Sequence, residues 1–121
     1  MSTMRYELKP RLRVLAGNAI VLGPGKADLL EAIDREGELR AAARHLGMSY
    51  MRAWTLVREM NRAFERPLVA TARGGKAHGA AGLTPLGRRV LAVYRQMERR
   101  SAAAAAPSWR RLRRLLPRGK T

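Results

Sequence analysis

Residues 39–65 read LRAAARHLGMSYMRAWTLVREMNRAFE and contain two helical patterns separated by a single glycine. The first pattern, Leu39 to Leu46, places apolar residues at helical spacing, and Gly47 breaks it. Ser49 is a good N-cap for the second pattern, which is predicted to run to about Glu65. The apolar stripe of that second helix consists of Ala53, Val57, Met60 and Phe64. This stretch therefore predicts two helices joined by a tight turn.

The turn has the small residues that a helix-turn-helix requires. Ala41, Ala42 and Ala43 allow the two helices to pack closely, and Gly47 allows the chain to reverse. In this motif the second helix lies in the major groove of DNA and presents its N-terminal side chains to base edges. Leaving out the apolar stripe, six residues are candidate DNA contacts: Ser49, Tyr50, Met51, Arg52, Thr55 and Arg58.

Several side chains of the second helix have specific expected roles. Arg52 suits a bidentate contact with guanine, and Met51 suits contact with a thymine methyl group. Ser49, together with the free N–H groups at the start of the helix, suits a phosphate. Trp54 lies beside the apolar stripe and is interpreted as a packing residue.

Upstream of this motif, the sequence predicts a β-hairpin and a further helix. Charged and apolar residues alternate over residues 5–15, which predicts a half-buried strand that starts near Pro10 or lies at an edge. The turn signal Ala16-Gly17-Asn18 precedes a returning strand at Ala19 to Leu22. A helix is predicted from about Lys26 to Glu36, stopped by the glycine that follows it.

Downstream, two short strands are predicted at Leu68-Val69 and Gly82-Leu83, on either side of a basic, glycine-rich stretch. Glycines there permit close approach of the backbone, and the polar or positive tips suit contact with the DNA backbone or minor groove. An ordinary hairpin loop is the alternative interpretation. The predicted contacts of this wing are Arg73, Gly74, Gly75, Lys76 and His78.

A last helix is predicted from a cap at Thr84 to about Ser101. Ala102 to Ala106 extends the pattern, and Pro107 is expected to stop it. The apolar face of this helix exceeds what one small core needs, so the helix is the candidate dimerisation element. The residues assigned to that role are Val90, Leu91, Tyr94 and Met97.

The predicted order of elements is β-β-α-α-α-β-β-α. Two helices joined by a short turn and followed by a β-hairpin define a winged helix-turn-helix, a mainly α fold with small β elements. We expect the DNA-binding domain to span residues 1–101 and to form a dimer through its last helix. Residues 102–121 are expected to form an Ala-rich linker and a basic tail that is disordered in free solution.

The charge of the chain indicates a polyanionic partner. Its 121 residues include 25 basic and 9 acidic side chains, for a net charge of +16. Eight of the basic residues and none of the acidic ones lie from Arg99 to Thr121, so half of the excess belongs to the tail. If helical, the tail presents an apolar face opposite its arginines. It therefore suits the DNA backbone, an anionic membrane or a groove on another protein.

Enzymatic function finds no support in the sequence. Residues 20–27 have Ile20 and Ala27 where a phosphate-binding Walker loop needs Gly and Ser or Thr. The two histidines, His45 and His78, have no acidic residue at metal-ligand spacing. No catalytic residue, metal or cofactor is therefore predicted. The lack of cysteine, of a signal peptide and of a bilayer-length apolar run favours a cytoplasmic, nucleoid-associated protein.

A set of short motifs occurs in order along the chain: Gly37, Ala41 to Ala43, Gly47-Met48-Ser49-Tyr50, Ala53-Trp54, Glu59-Met60-Asn61, Pro67-Leu68-Val69, Gly74-Gly75-Lys76 and Leu83-Thr84. This set resembles the N-terminal DNA-binding domain of the molybdate-responsive ModE family, which is related to the LysR-type winged helix. The resemblance covers about residues 8 to 98. It implies a transcriptional regulator that binds a palindromic operator as a homodimer, with the third helix in the major groove and the Gly-Gly-Lys hairpin as the wing.

The chain departs from the family pattern at two places. Glu38 stands near the start of the second helix, where the family has a small polar residue, and its charge would repel a phosphate. The 23 residues after Glu98 are rich in alanine and arginine, so we expect no molybdate-binding domain and no molybdate site in this chain.

The favoured hypothesis is thus a sequence-specific regulator of transcription that binds double-stranded DNA. The alternative is an architectural, nucleoid-type protein that binds DNA through its basic tail with little sequence preference.

Overall fold

A computed structural model describes residues 5–72 and 79–118 of the chain. Its elements are β1 (Val14–Ala16), β2 (Ala19–Leu22), α1 (Pro24–Glu36), α2 (Leu39–His45), α3 (Tyr50–Ala63), β3 (Val69–Thr71), β4 (Ala81–Leu83) and α4 (Pro85–Arg114). β1 pairs with β2 and β3 with β4, each in a two-stranded antiparallel sheet. The predicted order and the winged helix-turn-helix fold are confirmed.

The first hairpin is shorter and more exposed than the alternation predicts. β1 begins at Val14 instead of near Pro10, and all three of its residues are exposed, so the expectation of a half-buried strand is wrong. Pro10 has no N–H to donate, and in the described chain β1 pairs on one side only. The alternation instead places Leu12 against the core while Arg11 and Arg13 are exposed.

The first three helices follow the sequence signals closely. α1 begins two residues before the predicted start, because Pro24 fits the first turn, and it ends at Gly37 with φ 75°. α3 ends at Ala63, two residues before the predicted end. Phe64 is already extended there, and Pro67 follows.

The turn between α2 and α3 has the predicted geometry. Gly47 has φ 68°, the left-handed conformation that glycine adopts without steric cost. The N–H of Met48 donates to the carbonyl of Ala43 at 3.0 Å, which closes the end of α2. The Ser49 hydroxyl accepts a hydrogen bond from the N–H of Arg52 at 3.0 Å, confirming the predicted N-cap.

The core lies where α1 meets the other helices. Leu29, Leu30 and Ile33 of α1 are fully buried, as their helical spacing predicts. From α3, Ala53, Val57 and Met60 pack against them, together with Leu68 and Tyr94 from later in the chain. Trp54 is half-buried and packs on this cluster, so its interpretation as a packing residue is confirmed.

The last helix is longer than predicted. α4 runs through Pro107 to Arg114, so the expectation that Pro107 stops it is wrong. Proline removes one backbone hydrogen bond and costs about 3 kcal/mol inside a helix. The good helix formers around it, including the five alanines of 102–106, allow the helix to continue. No helix among the described residues is long and apolar enough to cross a membrane.

Candidate nucleic-acid interface

The recognition helix α3 is held by one face and exposed on the other. Ala53, Val57 and Met60 are buried in the core. On the opposite face Met51, Arg52 and Arg58 are exposed, with 68% of Met51 accessible. The exposed side chain of Met51 is therefore free to make the apolar base contact that the sequence predicts, although a single exposed apolar residue is ordinary on a protein surface.

Two of the predicted contacts are less available than the sequence indicated. Thr55 is half-buried, and its hydroxyl donates to the carbonyl of Met51 at 3.0 Å. Tyr50 is also half-buried, and its ring packs edge-on against Trp54 with 6.4 Å between ring centroids. Of the six predicted contacts, four are therefore exposed (Ser49, Met51, Arg52 and Arg58), and two, Tyr50 and Thr55, are half-buried.

Arg40 is a residue that sequence reasoning did not select. Its guanidinium carbon lies 4.4 Å from the centre of the Tyr50 ring, a cation–π contact that joins α2 to the start of α3. The contact places an exposed positive charge beside the capped end of the recognition helix. The sequence pattern of a helix-turn-helix predicts that α2 packs against α3, but it does not predict the contact between Arg40 and Tyr50.

Lys26 is a second residue that sequence reasoning did not select, and it contacts both α3 and the first hairpin. Its side chain is 9% exposed and its ammonium group lies 3.1 Å from the carboxylate of Glu59, on α3. It also donates to the carbonyl of Ile20, on β2, at 2.5 Å. Lys26 therefore joins α3 to both α1 and the first hairpin, and the ion pair compensates the charge of the one carboxylate of α3.

The base of the wing is fixed to the recognition helix by Asn61. Its side-chain oxygen accepts hydrogen bonds from the N–H groups of Leu68 at 2.8 Å and Val69 at 3.1 Å, and its amide donates to the carbonyl of Val69. At the other strand, the N–H of Ala81 donates to the carbonyl of Gly37 at 3.0 Å. The predicted wing contacts Arg73, Gly74, Gly75, Lys76 and His78 lie outside the described residues.

The candidate dimerisation residues of α4 divide into two groups. Tyr94 is buried within its own chain and donates to the carbonyl of Leu12 at 2.8 Å, so it is not available to a second chain. Val90 and Leu91 are half-buried against the core. Met97 is 41% exposed, and Val93, which sequence reasoning did not include, is 48% exposed.

Arg95 attaches α4 to α1 through a cluster of carboxylates. Its guanidinium lies 2.9 Å from Asp28, 3.2 Å from Glu31 and 2.9 Å from Glu98. Burial by itself would lower the pKa of Arg95, but hydrogen bonds to Asp28 and Glu98 raise the pKa above its ordinary value. The positive charge of Arg95 is therefore paired within the fold, where it joins α4 to α1.

An exposed, capped recognition helix, packed across a glycine turn on a short helix and followed by a β-hairpin, defines a DNA-binding protein of the winged helix-turn-helix class. Residues 26–88, just over half of the chain, match the family model described as bacterial regulatory helix-turn-helix protein, lysR family. The chain belongs to this family. The match is to a regulatory DNA-binding domain, which confirms that the chain is not an enzyme.

Curated relatives place the chain beside the molybdenum regulators. It is 44% identical over 85 residues to the molybdenum-pterin-binding protein MopB of Rhodobacter capsulatus, covering 70% of this chain and 32% of the relative. It is 38% identical over 98 residues to the molybdenum transport protein ModE of Azotobacter vinelandii, covering 81% and 36%. The DNA-binding transcriptional dual regulator ModE of Escherichia coli K12 is 39% identical over 71 residues, covering 59% and 27%. The resemblance drawn from the motifs is confirmed, and the chain spans about a third of these relatives.

Proposed function

We propose that this chain reads a palindromic DNA operator as a homodimer and thereby regulates transcription, with α3 in the major groove. The observation that carries the proposal is the orientation of α3: its apolar side is buried, and Met51, Arg52 and Arg58 are exposed on the other side. The relative from Escherichia coli is named a DNA-binding transcriptional dual regulator, which supports the same role.

Specificity in this proposal comes from α3 and general affinity from the wing. Arg52 follows the cap of α3 by three residues, at the end of the helix that enters the groove, and its fork of donors matches guanine. Lys76, in the wing sequence, would contact phosphates and so would not distinguish sequences. If six to ten phosphates are neutralised, affinity falls by about 10³ to 10⁵ between 50 and 200 mM salt.

A competition assay with operator and scrambled duplexes tests this division of roles. Arg52→Ala should reduce the preference for the operator, because a bidentate base contact contributes about 1–3 kcal/mol of discrimination. Lys76→Ala should weaken binding to both duplexes alike. Arg99→Ala, at an exposed position of α4 on a different side from Val93 and Met97, is the matched control. Equal losses for the Arg52 and Lys76 variants would contradict the proposal.

Dimerisation in this proposal uses the exposed apolar side of α4, where Val93 and Met97 lie. A two-fold arrangement would set the two recognition helices about 34 Å apart, one turn of DNA, so that they meet successive major grooves of a palindrome. We infer that the molybdenum-related activities in the relatives' names belong to the parts of those proteins that this chain does not match, and that this chain holds no molybdate site.

The second candidate function, architectural DNA binding without sequence preference, is favoured by the arginines at the end of α4. Replacing Arg110, Arg111, Arg113 and Arg114 with glutamine removes this charge from a part of α4 that lies beyond Tyr94, its last residue in the core. Loss of binding to operator and scrambled DNA alike would support the architectural role. Retained preference for the operator would support the regulator.

A further inference from the structure

An open, basic groove lies between the first hairpin and the recognition helix. We call it the hairpin groove. It has a volume of about 940 Å³, and its walls come from residues 11–26 on one side and from α3 between Arg52 and Ala63 on the other. Five cationic side chains and one carboxylate line it: Arg11, Arg13, Lys26, Arg52, Arg62 and Glu59.

The positive charge of the hairpin groove is not neutralised within the described chain. Its carboxylate, Glu59, is paired with Lys26 at 3.1 Å. Among residues 5–72 and 79–118, no carboxylate lies within 4.0 Å of the guanidinium nitrogens of the four arginines that line the groove. All four arginines are exposed, so a polyanion can reach them from solvent.

The hairpin is fixed in place on both of its sides. The hydroxyl of Tyr94 donates to the carbonyl of Leu12 at 2.8 Å, which holds the segment before β1 against α4. Lys26 donates to the carbonyl of Ile20 on the returning strand. Leu12 packs against the core, while Arg11 and Arg13 on either side of it in the sequence are exposed and line the groove. Their positions relative to α3 are therefore set by the fold.

We propose that the hairpin groove holds the DNA backbone and that Arg11 and Arg13 bind phosphates beside the major groove occupied by α3. The inference rests on the proposed docking of α3. Arg52 belongs both to the predicted base contacts and to the wall of the groove, so a duplex bound at α3 has one of its strands next to the hairpin.

The shape of the groove favours a nucleic-acid strand over a small anion. The groove is open to solvent, and it has arginines on both walls, Arg11 and Arg13 from the hairpin side and Arg52 and Arg62 from α3. Ile20, Leu56 and Ala63 also line it, and such apolar surface suits the sugars of a backbone. Phosphate contacts of this kind carry no sequence information but fix the register of the protein on the duplex.

The test is the salt dependence of binding by the full chain with Arg11→Gln and Arg13→Gln. Each lost phosphate contact makes the plot of log affinity against log salt less steep by about 0.9, so the double variant should lose about 1.8 in steepness for each bound chain, or about 3.6 for the proposed homodimer on a palindrome. The preference for operator over scrambled DNA should stay unchanged. In ethylation interference, the phosphates that block binding of the wild-type chain beside the α3 contact should no longer do so.

Arg35→Gln with Arg99→Gln is the matched control, because both arginines are exposed, neither lines the groove, and Arg99 lies on a different side of α4 from Val93 and Met97. Equal thermal unfolding of all variants shows that the fold is intact. A slope unchanged from wild type, or one lowered equally in the control, would overturn the inference, as would saturable binding of inorganic phosphate to the groove without a change in slope. Failure of Arg52→Ala to alter sequence preference would instead count against the docking of α3.

Discussion

Gly87 lies where the first turn of α4 packs against the segment that leads into β3, and there is no space at this position for a Cβ atom. A Cβ built at this position would lie 2.1 Å from the carbonyl oxygen of Leu68, a backbone atom that cannot turn away. The same carbonyl accepts the N–H of Thr84 at 2.9 Å, and the Thr84 hydroxyl accepts the N–H of Gly87 at 3.0 Å. The first turn of α4 and the strand before the wing therefore touch at a place that only glycine fits.

We expect Gly87→Ala to lower the free energy of unfolding by about 2–3 kcal/mol, because the backbone must shift to relieve the overlap. Urea unfolding measures the loss. Gly25→Ala is the control, because Gly25 lies in α1 and nothing is within 4 Å of the added Cβ. This variant should raise the free energy of unfolding by about 0.4–1 kcal/mol. Similar stability of the two variants would contradict the steric explanation.

Tyr94 gives a prediction of pH dependence. Burial, reinforced by the nearby carboxylate of Glu98, raises the pKa of this phenol above its ordinary value near 10. Above about pH 10 the unfolded chain loses the phenolic proton while the folded chain retains it, so stability falls as pH rises. Tyr94→Phe removes this contribution and also loses the hydrogen bond to Leu12, which is worth about 0.5–1.5 kcal/mol. Wild type should therefore exceed the variant in stability at pH 8, and the difference should shrink by pH 11. A constant difference in urea unfolding at the two pH values would refute this.

Residues that act through their neighbours in sequence were predictable, and residues that act across the fold were not. Ser49 caps α3 and Gly47 turns the chain by rules that involve three or four consecutive residues. The partners of Lys26 and Arg40 come from other elements, so their roles depend on how the helices pack. Sequence reasoning selected two of the three exposed arginines of α3, Arg52 and Arg58, but neither Arg62 nor the contacts that hold the helix in place.

At the scale of elements, the strands and α4 were the difficult cases. A strand needs a partner as well as an alternating pattern, and residues 5–13 have the pattern but pair with no strand among the described residues, since the pairing with β2 begins at Val14. The end of α4 depended on the balance between one proline and the good helix formers around it, and Pro107 did not end the helix. The helices of the central motif were predicted to within two residues because caps and glycines mark their ends.

The coupling between α3 and the wing passes through Asn61. Its three hydrogen bonds occupy both N–H groups at the start of β3, where Leu68 and Val69 are buried. Asn61→Ala leaves those donors without partners, and we expect a loss of about 1–3 kcal/mol in unfolding free energy. Gln96→Ala, which removes an exposed amide from α4, should stay within about 0.5 kcal/mol of wild type. Chemical denaturation of both variants measures the difference, and equal losses would contradict the anchoring role.

Across the whole molecule, which has a net charge of +16, the ion pairs among the residues that the structure describes are unevenly distributed, so one face has paired charges and the other has unpaired arginines. The acidic residues gather in α1 and the turn that follows it, and α4 neutralises several of them: Arg88 lies 2.9 Å from Asp34, and Arg95 binds Asp28 and Glu31. On the side of α3 and the first hairpin, Arg11, Arg13, Arg52 and Arg62 make no such pairs within the described chain. The face that would meet DNA is thus positive because the carboxylates are used elsewhere.

The length of α4 bears on assembly. Thirty residues of helix span about 45 Å, and the last of them that packs on the core is Tyr94. Val93 and Met97 are exposed where the helix leaves the core, so we expect Val93→Glu with Met97→Glu to separate the proposed dimer by placing like charges at its contact. Sedimentation velocity should show a monomer for this variant and a dimer for wild type.

Ala92→Glu is the matched control, since it adds a negative charge to an exposed position of the same helix on a different side from Val93 and Met97. The double variant should still bind one half-site, because α3 and the hairpin groove belong to a single chain, but it should lose the tight binding to a palindrome that two linked half-sites provide. A dimer that survives the double substitution would place the contact elsewhere. A monomeric variant that still binds the palindrome as tightly as wild type would show that operator recognition does not depend on two chains held by α4.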